Sequence, residues 1–494
     1  MSLLACSRFL RKDRSTRLLK NAAHNQIVYG GVPTKFITRS LSWRRSQLRA
    51  LLKLLKDEED DIFKALKEDV GKHPVEAFRD EVGVLIKSVD TALGEIKRWM
   101  APQRVWVPLV AFPTTAEVVP EPLGVVLIFS CWNFPMNLSL EPLIGAICAG
   151  NGVVLKPSEL APATSQFLAC NIPKYLDSKA VKVVQGGAEV GQQLLQLKWD
   201  KIFYTGGRRV GQIVMTAAAK HLTPVAIEVG GKCPAIIDSF TTAKDRKVTV
   251  ERVVGGKWGS CAGQACIAID YLLVEEEFAP VLVELLKATI AKFFTAREYV
   301  SRIVNKHHFE RLSRLLEDKE VAASIKHGGL RDPENLFIEP TILLNPPLDA
   351  EIMTEEIFGP LLPIITLKKI EDSIEFVRAR PKPLVIYAFT HNETLKKRIV
   401  EETSSGSVTF NDAIIQHILD AIPFGGIGQS GFGQYHGKYS FDLFSHRKSV
   451  VRRSFLTEFS FRYPPWDERK LQLLRYAYSF DYVRFVLCIL GLKR

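Results

Sequence analysis

Short runs of β-branched and aromatic residues recur along this chain, and the stretches between them carry helical spacing. Val125–Phe129, Val153–Leu155, Val181–Val184 and Ile202–Tyr204 read as strands, with helices predicted at 137–149, 161–176 and 188–197. The second half repeats the style. Ala235–Ile237, Tyr271–Val274, Leu361–Leu367 and Val385–Phe389 read as strands, and 277–294, 305–317 and 371–379 as helices. Upstream, Leu48, Leu51, Leu52 and Leu55 recur at helical spacing, and 75–99 reads the same way. Strands alternating with helices require βαβ units, so the expectation is an α/β protein with two doubly wound domains in series.

The 494 residues are 47% apolar and can bury a large core without disulfide staples. The eight cysteines show no disulfide framework, which fits a reducing compartment, and no Cys or His pair stands near Cys261 and Cys266 at zinc-ligand spacing, so no metal is expected. The net charge of +12 is uneven: residues 1–50 carry +10 and 446–494 carry +7, which leaves the body at −5. A mildly acidic body argues against nucleic acid as a partner. No apolar run is long enough to span a bilayer. Residues 1–40 form an atypical basic extension without the apolar core of a secretory signal. A cytoplasmic protein is expected, with a plastid or mitochondrial targeting segment as the alternative reading of that extension. The apolar, basic tail 466–494 reads either as an amphipathic segment on a membrane or partner, or as a helix packed on its own domain.

Gly426–Gly431 matches the GxGxxG dinucleotide fingerprint, but no strand leads into it and no acid follows at the required distance, so it reads as a tight glycine loop. Four other places carry more. Cys266 ends Gly263-Gln264-Ala265-Cys266, where a small buried hydrophobe is the bland alternative. Glu228 ends an apolar run before Gly230 and Gly231, where parallel sheets place their ligands. Trp132-Asn133-Phe134-Pro135 follows a strand, and its Asn could simply cap a turn. Lys156-Pro157-Ser158-Glu159 also follows a strand, where a solvated ion pair is the alternative. Together these supply a thiol nucleophile, an amide donor, a carboxylate base and a ribose clamp, the parts needed to oxidise an aldehyde.

Here the chain resembles the aldehyde dehydrogenases, and most of all their class 3, from about Leu41 to about Pro465. The resemblance rests on Pro122–Val126, Trp132–Pro135, Gly145–Lys156, Tyr204–Gly206, Ala217–Lys232, Gly263–Cys266, Glu355–Pro360, Pro423–Gly426 and Tyr435–Phe441, in that order. The His436–Phe441 stretch and Arg462–Pro465 point to class 3. The resemblance implies a Rossmann-like NAD(P)-binding domain (41–103 and 124–231, with part of 411–432), a catalytic domain (232–410) and a small β oligomerisation arm (104–123 and 441–452). It implies Cys266 as nucleophile, Asn133 as oxyanion donor and Glu228 as the base for hydrolysis. Trp132, Lys156, Glu159, Gly206, Gly207, Gly211, Gly230, Glu356 and Phe358 would bind the cofactor. Phe134, Leu138, Ile414, Phe424 and His436 would shape a pocket for medium- or long-chain aliphatic or aromatic aldehydes. A homodimer is also implied.

Some positions depart from the family pattern. Gly207 stands where relatives usually carry Ser, and Arg208 and Arg209 follow it. The arginines suit a 2′-phosphate, whereas Glu159 favours the free 2′-hydroxyl, so NAD is expected, with NADP also accepted. The helix that relatives carry before position 41 reads as missing or replaced. The alternative function is a catalytically silent relative that binds cofactor or serves a structural role.

Overall fold

The computed structural model of the chain describes residues 37–456, 458–490 and 492. The expectations attached to the basic extension, its targeting role and its altered helix, lie outside the described residues, apart from Ile37–Ser40. The chain divides into two compact units: one takes the described residues up to Ile96 with Pro122–Phe444, the other Lys97–Glu121 with the described residues from Ser445 onward.

In the larger unit, one sheet has the spatial order Gly431–Phe432, Val225–Val229, Lys201–Gly206, Val125–Phe129, Gly152–Lys156, Val181–Val183. Its pairs are parallel except for Gly431–Phe432. Helices cover both faces of such a sheet, which is why Val125–Phe129 is apolar and buried at every position rather than alternating. The chain steps outward from Val125–Phe129 to one edge and then returns to place Lys201–Gly206 on its other side. Ligands of open α/β sheets sit at the carboxyl ends of strands at such a reversal.

The second sheet has the order Ile325–His327, Thr341–Leu344, Leu361–Leu367, Tyr271–Glu275, Pro234–Ile237, Val385–Phe389, Ser407–Phe410. It too is parallel except at its first, antiparallel edge strand. Ile236, Leu273, Leu343, Ile365 and Ile386 anchor its core. Helix Asn137–Ala149 is buried along its whole length. A Cβ on Gly145 would lie 2.5 Å from Ser440 Cβ, so glycine is what lets helix Gly437–Leu443 approach it.

Three expectations are corrected. The stretch 75–99 is not one regular helix: Pro74–Ala77 and Gly83–Trp99 flank a wide π turn, Phe78–Val82, and Asp80 and Glu81 within it are buried. The strand placed at 441–452 begins only at Ser445, because Phe441 belongs to helix Gly437–Leu443 and is buried there. The tail is two helices, Glu468–Tyr478 and Tyr482–Ile489, broken where Phe480 takes a positive φ of 58°.

In the smaller unit, Gln103–Val105, Thr115–Pro122 and Ser445–Arg452 form a three-stranded sheet, stitched by Arg452 to Glu117 at 2.5 Å and by Lys448 to Glu121. The two tail helices bury Phe461, Leu473, Ala477, Phe485 and Cys488 against one another. No helix among the described residues is long and apolar enough to cross a membrane.

Candidate active site

A cavity of about 1420 Å³ opens at the sheet reversal of the larger unit. Trp132 and Asn133 enter it from the end of Val125–Phe129, Thr205–Arg209 from the end of Lys201–Gly206, and Glu228 from the end of Val225–Val229. Cys266 faces them from the loop before strand Tyr271–Glu275. The nucleophile, amide and base expected from the sequence thus line one cavity.

The Cys266 loop is held in an unusual backbone shape. Cys261, Ala262 and Gly263 take positive φ of 49°, 51° and 77° in succession, and a Cβ at Gly263 would lie 2.5 Å from Gly359 O. Gln264 braces it: its Nε2 donates to Cys261 O (3.0 Å) and Arg302 O (2.9 Å), and its Oε1 accepts from Val304 N (3.1 Å). The Glu76 carboxylate accepts from Cys261 N at 2.6 Å. That is the physical content of the Gly263-Gln264 pair: a turn only glycine permits, and an amide that pins it. Cys261 is itself fully buried, away from the cavity, and is a packing thiol.

The Asn133 loop is braced by charge instead. Lys72 and Glu81 form a buried ion pair at 2.5 Å; Lys72 donates to Asn133 O at 2.9 Å, while Glu81 Oε2 accepts from Met136 N (2.8 Å) and Asn137 N (3.2 Å) at the start of the following helix. Asn133 Oδ1 has no partner.

Glu228 is buried, and neither carboxylate oxygen has a partner; burial pushes its carboxyl well above the usual range. Burial, then the nearby Glu356 charge, likewise raises the Cys266 thiol. Glu356 lines the cavity, accepts from Gly231 N at 3.1 Å, and is lifted to about 8 by burial and then by Asp270. Lys232 ties this region together, donating to Asp270 (3.0 Å), Ile352 O (2.7 Å) and Glu355 O (2.9 Å).

The residues present suit a dinucleotide. Helix Arg208–Ala219 starts at the cavity without a side-chain cap on its first-turn N–H groups, which, with Arg208 and Arg209 beside them, form an anion site. A Cβ on Gly206 would lie 2.4 Å from the Tyr204 hydroxyl, so the turn needs glycine there. Gly207, Gly230, Glu356 and Phe358 line the cavity as well, and Trp132 packs edge-on to Phe358 at 5.4 Å. Lys156 and Glu159 pair at 2.6 Å at the end of Gly152–Lys156, outside the cavity lining.

Some expected contacts are not made. Gly211 does not line the cavity; it lets the helix pack on its sheet, where a Cβ would lie 3.3 Å from Ile227 and 3.5 Å from Val229. Leu138 and Phe424 line the cavity, but Phe134, Ile414 and His436 do not. His436 stacks on Phe424 at 5.0 Å, and Phe134 lies under the Lys72 ammonium at 3.9 Å. These two support the wall from behind, through Phe424 and Lys72. Ile414 belongs to a neighbouring turn, its N–H bonded to the Tyr387 hydroxyl at 3.3 Å. Conversely, no local pattern marks Lys72, Glu81, His308 or Arg311, and Tyr435, part of the Tyr435–Phe441 stretch, lines the cavity without having been expected there. His308 lines the cavity 5.3 Å from Trp132, and burial and then Arg311 lower it to about 4, so it is neutral near pH 7. Arg311 also lines it and donates to Ile357 O at 2.6 Å. The Gly426–Gly431 loop folds back on itself, and Gly431 then pairs beside Glu228.

A doubly wound sheet with an anion site at its reversal, and a cysteine facing a buried carboxyl and an amide, define a dinucleotide-linked oxidoreductase with a thiol nucleophile. Residues 33–450 match the Aldehyde dehydrogenase family. The chain is 55% identical over 461 residues to Aldehyde dehydrogenase family 3 member F1 of Arabidopsis thaliana (92% of this chain, 95% of the relative). It is 41% identical to 4,4'-diaponeurosporen-aldehyde dehydrogenase of Staphylococcus aureus (87% and 93% covered). A solved substrate-bound state of Staphylococcus aureus AldH superimposes with a TM-score of 0.86 at 38% identity, covering 94% and 98% of the two chains. The chain therefore belongs to the aldehyde dehydrogenase family, and within it to family 3. It is an NAD(P)-dependent oxidoreductase that converts aldehydes to carboxylic acids. No finding favours a silent relative.

Proposed function

We propose that Cys266 is the nucleophile of this oxidation, Asn133 its oxyanion donor and Glu228 the base that releases the acid. The observation that carries the reading is the meeting of these three groups in one cavity, where neither Glu228 oxygen has a hydrogen-bond partner. As its thiol proton leaves to water, Cys266 Sγ adds to the aldehyde carbon, and the side-chain amide of Asn133 with the Cys266 N–H stabilises the oxyanion. A nicotinamide held beside Glu356 and Gly230 would supply the hydride acceptor, and Cys266 would then carry the acyl group as a thioester. Glu228 then removes a proton from the attacking water. Glu228 has no other partner for its oxygens, and its raised affinity for protons makes it a stronger base than an exposed carboxylate.

Gly206, Gly207 and the start of helix Arg208–Ala219 would hold the pyrophosphate, Lys156 and Glu159 the adenosine ribose, and Glu356 with Gly230 the nicotinamide ribose. The apolar wall of Leu138, Phe424 and Tyr435 supports medium- or long-chain or aromatic aldehydes. The test is NADH formation by the purified protein with a medium-chain aldehyde. Cys266→Ala should lose about 10⁴-fold in turnover while keeping its thermal midpoint. Retained turnover, or a better rate with short hydrophilic aldehydes, would sink the respective part of the reading.

The same reading includes a cytoplasmic homodimer joined through the arm, supported by the place of strand Ser445–Arg452 at the end of its three-stranded sheet, and testable by sedimentation. It also includes a tail that touches anionic membrane through exposed Trp466, Val483, Val486 and Leu490, with Arg469, Arg475 and Arg484 in the same helices. Liposome pelleting with and without residues 466–494 separates that from a tail that only packs.

A further inference from the structure

Helix Asn137–Ala149 is apolar along most of its length, yet Asn137 and Glu141 lie one above the other on one face, continuing a line that starts at Asn133. All three side chains are buried. Asn133 Oδ1, both amide atoms of Asn137 and Glu141 Oε2 have no hydrogen-bond partner. Buried polar atoms that the protein leaves open are places for bridging water. The line therefore forms a polar seam from the reacting centre into the body of the unit.

The seam ends at the surface. The Ser88 hydroxyl bonds Glu141 and reaches Asp420 Oδ1 at 3.4 Å. Asp420 also accepts from Thr91 at 3.1 Å and pairs with Lys87 at 2.6 Å, and the Lys87 side chain is 39% exposed. At the inner end stands Tyr435, buried and lining the cavity. Its phenol lies within electrostatic reach of Glu228, Cys266 and Glu141 together.

We propose that Glu141 is a proton-relay residue, which carries the proton taken up by Glu228 out through Tyr435, Ser88 and Asp420 to solvent beside Lys87. The proposal rests on the reading of Glu228 as base. In deacylation the water oxygen bonds to the acyl carbon, its proton passes to Glu228, the C–S bond breaks and its electron pair stays on Sγ. Glu228 must shed that proton before it can act again. Among the described residues, no protein group lies within hydrogen-bond distance of either Glu228 oxygen or of Glu141 Oε2, so bridging water carries the proton from Glu228 to the Tyr435 oxygen and carries the Tyr435 hydrogen on to Glu141 Oε2. Neutral Glu141 donates to Ser88 Oγ, Ser88 donates to Asp420, and Asp420 releases the proton to water, so every group returns to its starting state. Burial, then the charge of Asp420, lifts the Glu141 carboxyl to about 7, with Ser88 and Lys87 opposing, so it can both take and give a proton near neutrality. Besides these groups, Tyr435 and Cys148 are the titratable side chains that feel its charge.

The experiment follows acyl-enzyme lifetime by rapid quench and the first turnover of NADH by stopped flow, on full-length wild type, Glu141→Gln, Ser88→Ala and Glu228→Gln. Glu141→Gln should form NADH in its first turnover within twofold of wild type, yet deacylate about tenfold more slowly, with a larger solvent deuterium isotope effect. A merely structural role would change the first turnover and the thermal midpoint and leave the isotope effect alone. Ser88→Ala should slow deacylation in the same sense, and it decides the matter if Glu141→Gln does not fold. Wild-type deacylation in either folded variant overturns the relay. If Glu228→Gln deacylates normally, the reading of Glu228 fails; if Glu228→Gln is blocked while Glu141→Gln is not, only the relay fails.

Discussion

The cofactor side of the site and its reacting side treat charge in opposite ways. Where the adenosine end is expected, Lys156 and Glu159 are already paired at 2.6 Å, and Arg208 and Arg209 stand at an uncapped helix start. At the reacting end, Glu228 has no partner for either oxygen, and burial holds both it and Cys266 toward their neutral forms. Groups that only bind can be neutralised or solvated without loss of function. Groups that must react are kept dry and uncommitted, and their positions are fixed by neighbours. Gln264 and Glu76 fix the backbone at Cys261, and Lys72 fixes that of Asn133.

The sharpest way to break this contrast is Glu228→Gln. Steady-state turnover should fall about 10³-fold while the first-turnover burst of NADH survives, because only the hydrolytic step needs the base. The pH dependence has a definite sign. A carboxyl raised by burial is protonated, and useless as a base, below its elevated pKa, so wild-type deacylation falls as pH drops through that range, above where an exposed glutamate titrates. An acid limb at ordinary carboxylate pH would mean that Glu228 is solvated, and the contrast would be lost.

Next in size is Lys72→Met. It leaves Glu81 buried and without its cation, which costs about 3–5 kcal/mol when one partner of a buried pair is removed. Thermal or urea unfolding reads the stability. If the bracing argument holds, kcat of the surviving folded enzyme drops as well, since Asn133 O loses its donor. A small stability change with normal kcat would show that the loop is held by other means. Asn133→Ala should follow, with about a 10²-fold loss in kcat/KM and no change in thermal midpoint, because it removes one oxyanion donor and leaves the backbone braces in place.

The difference between the two kinds of group also explains what could be read from the sequence. Cys266, Glu228 and Asn133 sit at strand ends and glycine turns, features that local patterns report, and all three line the cavity. The alternation of strands and helices likewise revealed both sheets, since a buried parallel strand must be apolar throughout. Lys72 and Glu81 carry no such mark. Lys72 meets Asn133 across 61 positions of chain and Glu81 meets Met136 and Asn137 across 55 and 56, and Glu81 lies in a π turn that breaks an otherwise helical pattern. Tyr435 and His436 belong to one stretch of the family pattern, yet only Tyr435 reaches the cavity, because His436 stacks on Phe424 instead. Gly211, which the resemblance implies as a cofactor contact, does not line the cavity and packs its helix on the sheet. Neighbours in sequence need not share a surface.

The smallest expected effect sharpens the cofactor side. Arg208 and Arg209 line the cavity next to an open glycine turn, whereas Glu159 is neutralised by Lys156 and lies outside the lining. If Glu159 sets the preference, its charge repels a 2′-phosphate and NAD wins by a wide margin. If the arginines reach that phosphate, the penalty is offset and the two cofactors come close. Arg208→Ser with Arg209→Ser should therefore raise the KM for NADP about threefold to tenfold, the loss expected for exposed charge-assisted contacts, while changing the KM for NAD less. Equal rises for both cofactors would assign the arginines to the shared pyrophosphate instead. No rise in either would leave the uncapped helix start as the anion site on its own.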